Sequence, residues 1–94
     1  MAESSKYSVE VSSAADRDLQ KLRDRILKQD FDRIAKAVEK LAEEPRPNGV
    51  RKIKEAITAY RIRVGDYRIV YDVSDDKKLV VILQVVRRSE TTYK

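Results

Sequence analysis

Ninety-four residues with 21 lysines and arginines against 16 aspartates and glutamates, a net charge of +5, describe one small, densely charged domain with a modest core. Cysteine and histidine are both absent, which excludes disulfides, thiolate chemistry, Cys- or His-ligated metals, Ser/His/Asp triads and histidine acid–base catalysis. A charged fraction of 39% and a pI near 9.6 favour a polyanionic partner, nucleic acid or an acidic protein.

Along the chain, Tyr7 to Val11 alternates apolar and polar and predicts a first strand. Ser13 with Asp16 three residues on resembles a capping box and opens a helix to about Leu27, with Ala15, Leu19, Leu22 and Ile26 on one face. Asp30 is the expected N-cap of a second helix, whose stripe runs through Phe31, Ile34, Ala35, Val38, Leu41 and Ala42 until Pro45 ends it. The short connection predicts an antiparallel helical hairpin packed on a sheet. Pro45 to Gly49 is a loop by composition, and Val50 to Lys54 reads as a short edge strand or as a lead-in to a β-hairpin.

In that hairpin Tyr60, Ile62 and Val64 alternate with Arg61 and Arg63, Gly65-Asp66 signals a two-residue turn, and Tyr67 to Val73 supplies the returning strand. After the polar turn Ser74 to Lys78, the β-branched run Leu79 to Val86 predicts a central strand covered on both faces. Nothing in the chain is apolar for long enough to span a membrane, and Met1 to Ser5 lacks the apolar core of a signal peptide, so a cytoplasmic protein is expected.

The hairpin gathers Arg61 and Arg63 on one face, with Arg68 joining from the neighbouring strand and Arg87 within approach if the last strand pairs beside it. Guanidinium forks match phosphate geometry and stabilise charge developing on a phosphodiester. RNA cleavage by its own 2′-OH requires no protein nucleophile, so a chain without His or Cys can still promote it by orientation, charge stabilisation and proton management. Arginines on a strand face also serve simply to keep an edge soluble, and on the residues alone both readings stand.

The stretch Tyr60-Arg61-Ile62-Arg63-Val64-Gly65-Asp66-Tyr67-Arg68-Ile69-Val70-Tyr71 resembles the Y-R-I-R-x-G-x-Y-R-x-x-Y signature of the RelE/ParE toxin superfamily, and the order of elements agrees from about Tyr7 to Tyr93. The resemblance to the RelE-like branch implies an α+β fold: an N-terminal strand and a two-helix antiparallel hairpin on a small, mainly antiparallel twisted sheet of about four strands. Residues 1–94 then form a single toxin domain, with 1–6 as a flexible extension. It further implies the toxin of a type II toxin–antitoxin pair, a metal-independent endoribonuclease working without a cofactor in the ribosomal A site, cutting mRNA and stopping translation. Its partners would be the ribosome with its rRNA, mRNA and a cognate antitoxin, through which the complex binds operator DNA.

By position, the resemblance makes Arg61 and Arg63 contacts to the scissile region and Arg68 the transition-state arginine. The same resemblance implies that Arg87 protonates the leaving 5′ oxygen and that Tyr93 stacks on a base or assists deprotonation. Lys52, Lys54 and Arg88 are candidates for RNA backbone contacts. Arg63 stands where some members carry a lysine proposed as general base, and arginine is a poor base at neutral pH. A histidine found in other relatives before the final arginines is also missing. A ParE-like gyrase inhibitor and a catalytically weak, antitoxin-binding corepressor remain open on the same fold.

Overall fold

The computed structural model describes residues 6–53 and 58–87, arranged as β1 (Ser8–Val11), α1 (Ser13–Arg23), α2 (Lys28–Lys40), β2 (Arg51–Lys52), β3 (Ala59–Val64), β4 (Tyr67–Ser74) and β5 (Leu79–Arg87). Apart from Lys6, the expected N-terminal extension lies outside the described residues, as do Lys54, Arg88 and Tyr93. The strands form one sheet in the order β1-β5-β4-β3-β2, with β1 parallel to β5 and every other pair antiparallel. The α+β arrangement is as expected, but with five strands instead of about four, because Arg51 and Lys52 pair with Arg61 and Tyr60 as a short edge strand.

Both helices pack on one face of this sheet. Ala15 of α1 and Ile34 of α2, with Leu41 just beyond, join Ile62, Ile69, Tyr71, Val73, Val80, Ile82 and Val85 in a single buried cluster. The alternation of β4 fits this closely: Tyr67, Ile69, Tyr71 and Val73 turn into the core, while Arg68, Asp72 and Ser74 do not. Among the described residues, the expected double covering of the last strand is not found. β4, not β5, is the middle strand, and Leu79, Val81, Leu83 and Val86 of β5 are only half-buried. An apolar run cannot report how many layers cover it, and both described helices gather on one face.

The helix boundaries also move, for local reasons. Ser12, not Ser13, caps α1: its Oγ accepts from the Ala15 N–H at 3.1 Å. Ser12 is still extended (φ −67°, ψ 163°) because its own N–H donates to the Ile82 carbonyl at 3.0 Å, holding it to the sheet. Asp16 then falls in the first turn, where the helix dipole favours a carboxylate. α1 stops at Arg23 instead of about Leu27, and α2 begins at Lys28, ahead of Asp30. Leu27 takes the N-cap place without a side-chain bond, and Asp30 meets Arg33 at 3.2 Å within the first turn.

One irregularity in β5 governs what its far end presents. Tyr71 pairs with Ile82 but Val70 pairs with Gln84, so Leu83 is an extra residue, a β-bulge that reverses the alternation beyond it. Val85 is thereby turned into the core. β1 reaches only as far as Ile82 along the outer edge of β5, and side chains take over from there. Ser12 Oγ donates to the Leu83 carbonyl at 3.4 Å, and the Asp18 carboxylate accepts from the Val85 N–H at 3.0 Å. These bonds stand in for a neighbouring strand. Asp18→Ala is expected to lower unfolding free energy by about 1.5–3 kcal/mol, the worth of a hydrogen bond to a charged group, with Asp18→Asn, a neutral acceptor, retaining about half of it in urea denaturation.

Candidate nucleic-acid interface

The hairpin is built as its sequence predicts. Val64 pairs with Tyr67 across Gly65-Asp66, and Gly65 has φ +60° while Asp66 is not in the left-handed region, the φ pattern of a type II′ turn. This register sets the face of every arginine in it. Ile62 lies opposite Ile69 and Tyr60 opposite Tyr71 on the helix side, so Arg61, Arg63 and Arg68 belong to the helix-free side. Arg63 faces Arg68 directly, and Arg61 faces Val70, which is 5% exposed although neither α1 nor α2 packs on that face. Like charges placed directly opposite in a sheet are destabilising, so this pair lowers fold stability unless an anion answers it.

The edge strand adds a residue that sequence reasoning missed. Arg51, not Lys52, lies opposite Arg61, whereas Lys52 lies opposite Tyr60 and so starts from the other pleat. A two-residue strand has no alternation to read, so nothing in the sequence distinguishes the two. Arg51, Arg61, Arg63 and Arg68 line one open cleft of about 590 Å³, which is not confined to the helix-free face, since Ala37 and Lys40 of α2 line it too. Leu41, Ile62 and Val64 give it apolar surface, Pro47, Asn48 and Gly49 form a further wall, and no carboxylate is among its lining residues within the described part of the chain.

Arg87 is placed differently. It pairs with Tyr67, while Arg68 pairs with Val86, so the two arginines leave the sheet from opposite pleats and Arg87 does not line the cleft. The bulge at Leu83 is the cause, since without it Arg87 would share the face of Arg68. The strand pairing expected to bring them together is present; the parity is not. Of the remaining sequence candidates, Lys54, Arg88 and Tyr93 fall outside the described residues.

A second polar group stands behind the cleft wall. Arg46 donates from Nη1 and Nη2 to the two Asp75 oxygens at 3.2 and 3.0 Å and from Nε to the Tyr60 hydroxyl at 3.1 Å, and its guanidinium lies 5.2 Å from the Tyr60 ring centroid. Tyr7 donates to Asp75 at 2.5 Å, and Tyr71 to the Pro45 carbonyl at 2.7 Å. The Arg46 fork, helped by the Tyr7 hydroxyl, holds the Asp75 carboxyl below the usual carboxylate range, while the Tyr7 phenol is raised by its bond to Asp75. Burial pushes the Tyr71 phenol well above its ordinary value, so it remains a neutral donor. A depressed carboxylate contributes stability above its unfolded pKa and loses it as pH falls through the folded one, so this ion pair persists at neutral pH and is lost only in acid.

Among the described residues there is no group of three or more acidic side chains able to hold a metal ion, and no helix is long and apolar enough to cross a membrane. The guanidinium and ammonium groups lining the cleft can bind phosphate oxygens, orient a strand between them and stabilise developing negative charge.

Two helices on one face of a five-stranded mixed sheet, with arginines on the bare face, constitute the RelE-like toxin fold. The chain belongs to the RelE/ParE family of type II toxin–antitoxin toxins: the family described as "ParE toxin of type II toxin-antitoxin system, parDE" matches residues 9–92. Toxin RelG of Mycobacterium tuberculosis is 34% identical over 84 residues, 89% of this chain and 93% of that protein. The archaeal RelE–RelB complex of Pyrococcus horikoshii OT3 superposes with a TM-score of 0.75 at 27% identity, covering 92% of this chain and 99% of that one. The toxin–antitoxin complex RelBE2 of Mycobacterium tuberculosis gives 0.72 at 27% identity over 88% and 99%.

Proposed function

We propose that this toxin is a ribosome-dependent endoribonuclease that cuts mRNA in the A site by attack of a ribose 2′-OH on the adjacent phosphate. The observation that carries this reading is the Arg63–Arg68 pair, held face to face on the helix-free side with Arg61 and Arg51 beside it in a cleft whose described lining residues include no carboxylate. A phosphodiester bridging those forks relieves their repulsion, and its pentacovalent dianion relieves it further, so attraction grows toward the transition state. In this assignment Arg61 and Arg63 orient the scissile phosphate and Arg68 stabilises the charge. Arg87, one residue beyond the Val86 that faces Arg68, reaches the leaving 5′ oxygen around the strand end. Tyr93 stacks on a base or assists deprotonation. Arg51 joins Lys52, Lys54 and Arg88 as a backbone contact, and neither metal nor cofactor takes part.

The partners follow from the same charge. A cytoplasmic antitoxin of acidic character that orders on binding would cover the basic face and release it when degraded. The named complexes of the similar proteins, each a RelE-type toxin with its RelB-type antitoxin, support this. A brief pulse of expression followed by mapping of mRNA 5′ ends is expected to show cuts within translated codons. Intact message with continuing protein synthesis would sink the reading.

A second reading, a ParE-like gyrase inhibitor, is favoured by the description of the matching family. It predicts trapped DNA breaks and arrested replication with uncut message. Either way, the facing arginines carry an expectation for the isolated protein. Inorganic phosphate or a short RNA should raise its melting temperature, and Arg63→Thr should raise it in plain buffer while abolishing that increment.

A further inference from the structure

The cleft wall at Pro47 to Gly49 belongs to neither helix nor strand, and Val50 alone separates it from Arg51 of the basic cluster. A loop of this kind sets a binding site's width only if something outside the site holds it. Here the holding groups come from separate parts of the chain: Asp75 from the β4–β5 turn, Tyr60 from β3, Tyr71 from β4 and Tyr7 from the N-terminal side of β1. Arg46 directs all three of its guanidinium nitrogens to Asp75 and Tyr60, and it is not among the residues lining the cleft.

We propose that the Arg46–Asp75 ion pair is a positioning device for the basic cleft, fixing the Pro47–Gly49 wall and hence Arg51 against Arg61, without touching the ligand. This rests on the reading of the cleft as an RNA site. Charge and position predict opposite signs for one substitution. Asp75→Asn removes a negative charge and frees a guanidinium, so if the pair acts through charge alone, RNA binding tightens. If the pair positions the wall, binding weakens although the protein has become more basic. Arg46→Lys separates the same alternatives: it keeps the charge but cannot reproduce the fork that grips two carboxylate oxygens and a phenol together.

The test uses the full chain, with fluorescence anisotropy of a short single-stranded RNA over a range of salt concentrations. It adds amide hydrogen exchange at Val50, whose N–H donates to the Pro47 carbonyl at 3.1 Å within the loop. Both variants are expected to weaken RNA binding by roughly twofold to thirtyfold, the span of couplings relayed through packed groups. The salt slope should fall by less than the roughly one unit that deleting a phosphate contact costs, because Arg51 is loosened and not removed, and Val50 should exchange faster. Asp75 sits exposed on a turn, so folded protein is expected from both.

Tighter binding by Asp75→Asn, or Val50 protection unchanged in both variants, overturns the proposal. Absence of RNA binding by the unaltered chain would instead sink the RNA reading of the cleft. In that case Val50 still decides whether the pair holds the wall.

Discussion

If the proposed A-site ribonuclease activity holds, Arg68→Ala is expected to give a folded, soluble protein whose cutting of mRNA at A-site codons falls by about 100- to 1,000-fold, the usual cost of removing one charge-stabilising donor from a transition state. The expectation has two parts that come from the same register. Arg68 lies on the bare face opposite Arg63, so its loss opens no hole in the core and removes a repulsion. Thermal melting should therefore show a midpoint equal to or above that of the unaltered chain. The lost group is also one of two guanidiniums able to grip a single phosphate from facing strands, and Arg63 alone cannot surround a dianion. Mapping mRNA 5′ ends after a pulse of each protein reads the first part, and a melting curve the second. A stable variant that cuts as well as the parent would remove Arg68 from the mechanism, and an unfolded one would mean the bare face is misassigned.

Tyr71→Ala is the largest stability loss expected, about 3–5 kcal/mol, because a fully buried aromatic leaves a cavity that its neighbours cannot fill. In a domain of this size that is a large share of a total stability of roughly 5–15 kcal/mol. Tyr71 stacks on Tyr60 with ring centroids 6.0 Å apart and also ties down the Pro45 carbonyl. The two contributions can be separated. Tyr71→Phe keeps the ring and the stack but leaves the Pro45 carbonyl unpaired, and should cost only about 1 kcal/mol. Equilibrium urea unfolding of both variants measures the difference. Near-equal losses would mean the hydroxyl, not the packing, dominates at this position.

Much of the fold was legible in the sequence because it depends on short-range periodicity. The alternation from Tyr60 to Val64, the Gly65-Asp66 turn and the return through Tyr67 to Val73 determined a hairpin with three arginines on one face. The register confirms that arrangement residue by residue. Helix α2 was equally legible from its stripe, and Ile34 and Leu41 are indeed core. Family membership followed from the same twelve residues, since the signature is the hairpin itself.

What only the tertiary structure decided concerns the places where period and neighbour disagree. Nothing in Leu79 to Val86 marks Leu83 as the extra residue, because every side chain near it is apolar or neutral, yet that bulge moves Arg87 to the pleat opposite Arg68. Arg51 rather than Lys52 stands beside Arg61, because a two-residue strand takes its parity wholly from its partner. The Arg46–Asp75 pair joins residues 29 positions apart, and each looks like an ordinary surface charge until the sheet brings the β4–β5 turn up to the loop before β2. Periodicity determines which face a side chain takes within one strand. Only pairing across the sheet determines which faces, and which distant charges, are brought together.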